Sequence, residues 1–143
     1  MSNCNLIGAF SSTSGGGESP YKRTTSFVIA CSDETTALTT GTAKVTFRMP
    51  YAYTLDSVRA SLTGAGGGSG TTTIDINEAG STILSTKITI DYGDTTSVGA
   101  SAAPVISDSA LADNAQMTID IDAVTCDADE TGLKVYLIGN KTL

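Results

Sequence analysis

From Met117 to Asp122 the chain reads Met117-Thr118-Ile119-Asp120-Ile121-Asp122, and this alternation of apolar and polar residues recurs from Thr25 to the C-terminus. A side chain that repeats every second residue lies on one face of a pleated strand, whereas a helix needs a period near 3.6. Phe27 and Ile29, then Val45, Phe47 and Met49, share such a face. So do Val58, Ala60 and Leu62; Ile74 and Ile76; Leu84, Ile88 and Ile90; and Leu133, Val135 and Leu137. The pattern predicts about eight strands, each burying one face.

Turn signals separate these runs: Asp33-Glu34, Thr40-Gly41, Pro50-Tyr51, Gly64 to Gly70, Ala79-Gly80, Tyr92-Gly93-Asp94, Ala103-Pro104 and Thr131-Gly132. Short strands at regular spacing predict an all-β fold, an antiparallel β-sandwich or jelly roll, over residues 25–143. Thr is the commonest strand-compatible residue here, and Ser and Thr together make up 39 of the 143 residues. The one helix candidate is a single turn over Ser107–Asp113 with Ser107 as N-cap. Gly64–Gly70 reads as a long flexible hairpin tip. It lacks the Lys-Ser/Thr and following helix that a phosphate cradle requires, because Thr71-Thr72-Thr73 leads into a strand.

Residues 1–24 differ from the rest. Ser11-Ser12-Thr13-Ser14-Gly15-Gly16-Gly17-Glu18-Ser19-Pro20 cannot bury enough apolar area to offset its ordering entropy, which predicts an extended Gly/Ser-rich arm. Leu6, Ile7 and Phe10 offer it apolar anchors, either against its own domain or against another subunit. The N-terminus has neither the basic start nor the apolar run of a signal peptide, and no segment is long and apolar enough for a membrane-spanning helix. The expected site of synthesis is therefore the cytoplasm.

The net charge of −7 and a pI near 4.2 repel nucleic-acid backbones and anionic lipid, so neither is an expected partner. Cys4, Cys31 and Cys126 are too few and too scattered for a disulfide framework or a structural zinc site. They read as free thiols, Cys31 as a small buried hydrophobe, with a Cys4–Cys126 bridge left open.

The chain has no histidine, which removes the usual general base of Ser and Cys triads and the commonest nitrogen ligand for metals. Asp120 and Asp122 share the polar face of one strand, with Asp75 and Glu78 near another strand's end. A carboxylate pair flanking a groove hydrolyses glycosides, but such pairs more commonly form the solvated side of a sheet. Asp127-Ala128-Asp129-Glu130-Thr131-Gly132 opens like a calcium loop, yet the position of the bidentate Glu is Ile138. Arg48 and Arg59 stand on polar strand faces as surface charges. Tyr51 and Tyr53 flank the turn after Pro50, a slender basis for sugar stacking. The expectation is no enzyme, no catalytic residue, no metal and no cofactor.

Several stretches resemble a β-rich module recurrent in virion structural proteins of tailed bacteriophages. They are Ser32 to Thr39, Phe47-Arg48-Met49-Pro50-Tyr51, Val58-Arg59-Ala60-Ser61-Leu62, Asp75-Ile76-Asn77-Glu78, Ser81 to Lys87, Val105-Ile106-Ser107-Asp108 and Ile119 to Asp122. The resemblance spans roughly residues 28 to 138 and is most specific from Phe47 to Leu62. It implies a jelly-roll body used in capsid decoration (cement) proteins or tail fibres, assembled as a symmetric homo-oligomer, commonly a trimer. On that footing the chain is expected on the capsid surface of a virion, bound to the major capsid protein. Leu6, Ile7, Phe10, Tyr21 and Arg23 of the arm would carry docking. The alternative is a tail-fibre or baseplate appendage binding host surface glycan, with Gly64–Gly70 and Tyr51/Tyr53 at its exposed end.

Overall fold

The computed structural model describes residues 23–143. These form strands β1 (Thr25–Ala30), β2 (Gly41–Arg48), β3 (Tyr53–Ser61), β4 (Thr71–Glu78), β5 (Ser81–Thr82), β6 (Leu84–Thr86), β7 (Ile88–Asp91), β8 (Val105–Ile106), β9 (Ala110–Leu111), β10 (Gln116–Ala123) and β11 (Lys134–Lys141). All pairings are antiparallel. One sheet runs β1-β11-β3-β9, and a second runs β2-β10-β4 with β5 and β7 sharing the far edge of β4. β5 lies along Asn77–Glu78 and β7 along Thr71–Ile74, while β6 leaves the sheet between them to pair with β8.

Taking β5 and β7 as one interrupted strand leaves eight positions, ordered 1-8-3-6 in one sheet and 2-7-4-5 in the other. That is the strand order of a jelly roll, in which every connection but one passes between sheets. The count of eleven exceeds the expected eight by three because β5 and β7 split one strand and the short β6 and β8 pair outside the two sheets.

The period-two faces meet in one core. Ile74 and Ile76 of β4, Ile88 and Ile90 of β7, Met117, Ile119 and Ile121 of β10, and Leu133, Val135 and Leu137 at β11 are all buried. Phe27 and Ile29 of the edge strand β1 pack against them from the side. Burial on this scale, at about 25 cal/mol per Å² of apolar surface, is what holds the two sheets together.

Three local expectations are corrected. Ser107–Asp113 forms no helical turn: the Ile83 carbonyl accepts from Ser107 N at 2.9 Å, and Asp108 Oδ1 takes Ala110 N at 3.1 Å. Leu111 then enters the core opposite Tyr53 in β9, since a lone helical turn is costly to nucleate and would leave this leucine unburied. Leu84 and Ile88 belong to different strands, although both point inward. Gly64–Gly70 joins β3 to β4 in the opposite sheet, so it is a crossover and not a hairpin tip.

β3 also changes parity along its length. Tyr53 and Leu55 are buried, and then Val58 and Ala60 are, because a bulge at Asp56 lets Ile138 face Ser57 while Gly139 faces Leu55. Gly139 is required there, since a Cβ would overlap the Thr54 carbonyl oxygen.

Candidate functional site

At one end of the sandwich the loop 64–70 packs between two others. Gly93 N donates to Gly66 O at 2.7 Å, Cys126 N to Ser69 O at 3.0 Å, and Gly67 N to Asp129 Oδ1 at 2.9 Å. The centre of this end is Glu130, which has no exposed surface. Its Oε1 accepts from Thr72 Oγ1 at 2.6 Å and Thr125 N at 3.0 Å, and its Oε2 accepts from Thr125 Oγ1 at 3.1 Å. Its backbone carbonyl takes Leu38 N at 2.8 Å. Burial pushes this carboxyl's pKa up, but the donors from Thr72 and Thr125 outweigh it and leave the group below the ordinary glutamate range. Gly66 lies directly over it: a Cβ at that position would stand 2.7 Å from Glu130 Cγ. One residue thus ties β4 and the loop before β11 through its carboxylate, and the loop before β2 through its backbone carbonyl, to a single point.

The outward face of the second sheet carries the other acidic group. Asp120 and Asp122 do share this face, next to Asp75 across the β10–β4 pairing. Asp120 accepts from Ala43 N at 2.7 Å and from Asn77 Nδ2 at 3.1 Å. Lys87 Nζ lies 2.5 Å from Asp122 and 3.3 Å from Asp75. Asp75 faces the gap between β5 and β7, where it also accepts from Thr82 Oγ1 at 2.5 Å and Ile76 N at 2.9 Å. Hydrogen bonding to Asp122, helped by the charge of Asp75, raises the pKa of Lys87 and keeps it an ammonium. Asp120 and Asp122 therefore stand side by side on a sheet face with separate structural partners, whereas a hydrolytic carboxylate pair flanks a groove.

The calcium-like loop is used differently from its opening. Glu130 is turned inward, and Asp129 caps Gly67 N. Among the described residues no three His, Cys, Asp or Glu side chains converge as a metal-binding group. Nearby, Asp33 Oδ1 accepts from Thr35 N at 2.9 Å and Thr36 N at 2.6 Å, and those bonds lower its pKa. Glu34 pairs with Lys134 and Thr63, which lowers its pKa as well.

Phe27, Tyr51 and Tyr53 cluster at the other end. Tyr53 is fully buried; its ring meets Phe27 edge-on at 5.1 Å, and its hydroxyl donates to Thr25 O at 2.7 Å. Tyr51 is half-buried beneath Lys141 Nζ, 5.0 Å from the ring centre. Tyr53 begins β3 and Gly64 follows its end, so the nine-residue strand, about 30 Å long, keeps the two apart. The composite glycan tip expected from Gly64–Gly70 with Tyr51 and Tyr53 therefore does not form.

Leu6, Ile7, Phe10, Tyr21 and Cys4 lie outside the described residues, and Arg23 is exposed immediately ahead of β1. Arg48 donates to Asn114 O at 3.0 Å, while Arg59 is exposed on the outer face of β3. Cys31 is buried, and burial pushes its thiol up to about 12 with only a partial offset from the Val135 backbone; Cys126 is exposed, 3.1 Å from Ser69 Oγ.

Sequence reasoning missed Glu130 as a keystone. Its partner Thr72 is 58 residues away, and the surrounding Asp129, Thr131 and Gly132 look like any polar turn. These features define an all-β jelly-roll domain with internally satisfied polar clusters. Comparison with protein-family models, curated proteins and solved structures finds no match to this chain.

Proposed function

We propose that this chain is a structural protein of a tailed-bacteriophage virion, acting as a capsid decoration (cement) protein that binds the major capsid protein shell and stabilises it. In this reading the jelly roll projects as a rigid body, commonly a homotrimer, and residues 1–24 reach across the shell. Leu6, Ile7, Phe10, Tyr21 and Arg23 are its docking residues. The observation that supports it is the 1-8-3-6 and 2-7-4-5 strand order, an architecture shared by many viral shell proteins, with a first strand that begins at Thr25 directly after the arm. The support is a fold-level analogy joined to the sequence resemblance. Glu130, Asp75, Asp120 and Asp122 each have structural partners of their own, which fits a body valued for shape and surface.

The test is a cryo-EM reconstruction of the virion. Density for the jelly roll at three-fold or quasi-three-fold positions, with the N-terminal segment on the shell, is the expected result. Density at the tail would make it an appendage. In parallel, removing residues 1–24 should abolish capsid attachment while the circular dichroism of the β body persists; retained attachment would overturn the docking role of the arm.

A further inference from the structure

A jelly roll has four strand edges, and unpaired edges invite association unless they are blunted. Three of the four here are blunted. At β2 the register with β10 breaks between Val45 and Gly41, Ala43 adopts a positive φ of 51°, and Lys44 and Arg48 add charge. β9 is two residues long, and the β5–β7 edge is interrupted where β6 departs. β1 is the exception. Its six residues, Thr25-Ser26-Phe27-Val28-Ile29-Ala30, pair with β11 without a register shift, and they contain no charge, no Pro and no Gly. Among the described residues nothing pairs with its other side, and Val28 is 57% exposed.

We infer that the free edge of β1 is a docking strand for a second copy of this chain, joined antiparallel about a two-fold axis at Val28. The hydrogen-bond phase permits it. Cys31 N donates to Leu133 O at 2.8 Å, so by alternation the odd residues 25, 27 and 29 bond to β11. Ser26, Val28 and Ala30 therefore turn their N–H and C=O groups to the free side. With Val28 on the axis, Val28 meets Val28 of the other copy, and Ser26 meets Ala30 in each direction. These are three pairs of the hydrogen-bonded type, supplying about six bonds. A two-fold axis perpendicular to the sheet also keeps like faces together: Phe27 comes opposite Ile29 of the other copy on the core side, and the two exposed valines lie side by side outside. Neither β2 nor β9 offers such a self-matching run. The contact is a narrow ribbon, so association is expected to depend on concentration. It does not rest on the virion reading, and it is independent of any three-fold contact.

The test uses the full chain with Cys4 and Cys126 changed to Ser. Hydrogen-bonded antiparallel pairs place Cα atoms about 5.5 Å apart, within disulfide reach. Val28→Cys should cross-link two copies on mild oxidation, while Thr46→Cys on β2 should not. In the wild-type chain, analytical ultracentrifugation over a dilution series should show self-association that Val28→Lys weakens about tenfold or more, by setting like charges opposite one another. The exposed site lets that variant fold. Association indifferent to Val28→Lys, or cross-linking no better at residue 28 than at 46, would overturn the pairing. So would a monomer in which the amides of Ser26, Val28 and Ala30 resist hydrogen exchange, because the edge would then be covered by another part of the same chain.

Discussion

Glu130 and Asp122 are both carboxylates at the margins of the second sheet, yet they occupy opposite physical situations. Glu130 is enclosed at the end of the sandwich, with two threonines as donors and Gly66 as a lid. Asp122 lies on the outward face, exposed, with Lys87 as its partner. Enclosure turns a carboxylate into a structural requirement, because each donor left behind by its removal is stranded away from water. At the surface, water replaces whatever a substitution removes.

The sharpest way to break this contrast is Glu130→Ala. It strands Thr72 Oγ1 and Thr125 N, and a loss of about 3 kcal/mol is expected by urea denaturation. Gly66→Ala drives a methyl group into the same cluster and should cost about 2 kcal/mol, with no change in the denaturant slope. Asp75→Asn, at a buried position that faces Thr82 and Lys87, is expected to cost about 1 kcal/mol. Asp122→Asn should shift stability by less than about 0.5 kcal/mol, and a large loss there would erase the distinction.

Acid sharpens the same comparison. The pKa of Glu130 is lowered by folding, so its contribution is fully present above the ordinary glutamate value of about 4.3 and is lost as pH falls toward the lowered folded-state value. Glu130→Gln should therefore flatten the acid limb of a stability-versus-pH curve below about pH 4.3. At the alkaline side Cys31 works in the other sense. Its folded pKa of about 12 is raised, so its neutral form stabilises the fold below the unfolded thiol value and that stability drains away above it. At neutral pH, mass-mapped alkylation of the native protein should modify Cys126 and spare Cys31.

What could be read in advance follows from the range of each interaction. Met117, Ile119 and Ile121 declared their strand because the alternation is local and unbroken. The bulge at Asp56 left a trace too, in the shift from the odd positions Tyr53 and Leu55 to the even positions Val58 and Ala60, but Pro50 and the neighbouring tyrosines made the start of β3 look like a loop. β9 left no trace, since two residues carry no period and only Tyr53 and Thr54, far back in the chain, make them a strand. Asp120 and Asp122 announced their shared face but not their partners Ala43, Asn77 and Lys87, which the sheet register supplies.

The pairing of β1 with β11 also sets a clock. Of the described strands β1 leaves the ribosome first, and its one described partner, β11, leaves after all the others. At about 5–20 residues per second, the interval between them is on the order of ten seconds, during which Phe27, Val28 and Ile29 stay exposed. The first sheet can close only once β11 has been made. Nascent chains therefore hold an uncharged, strand-forming segment open for longer than any other described strand, and a crowded polysome is where this protein is most at risk of pairing with the wrong neighbour.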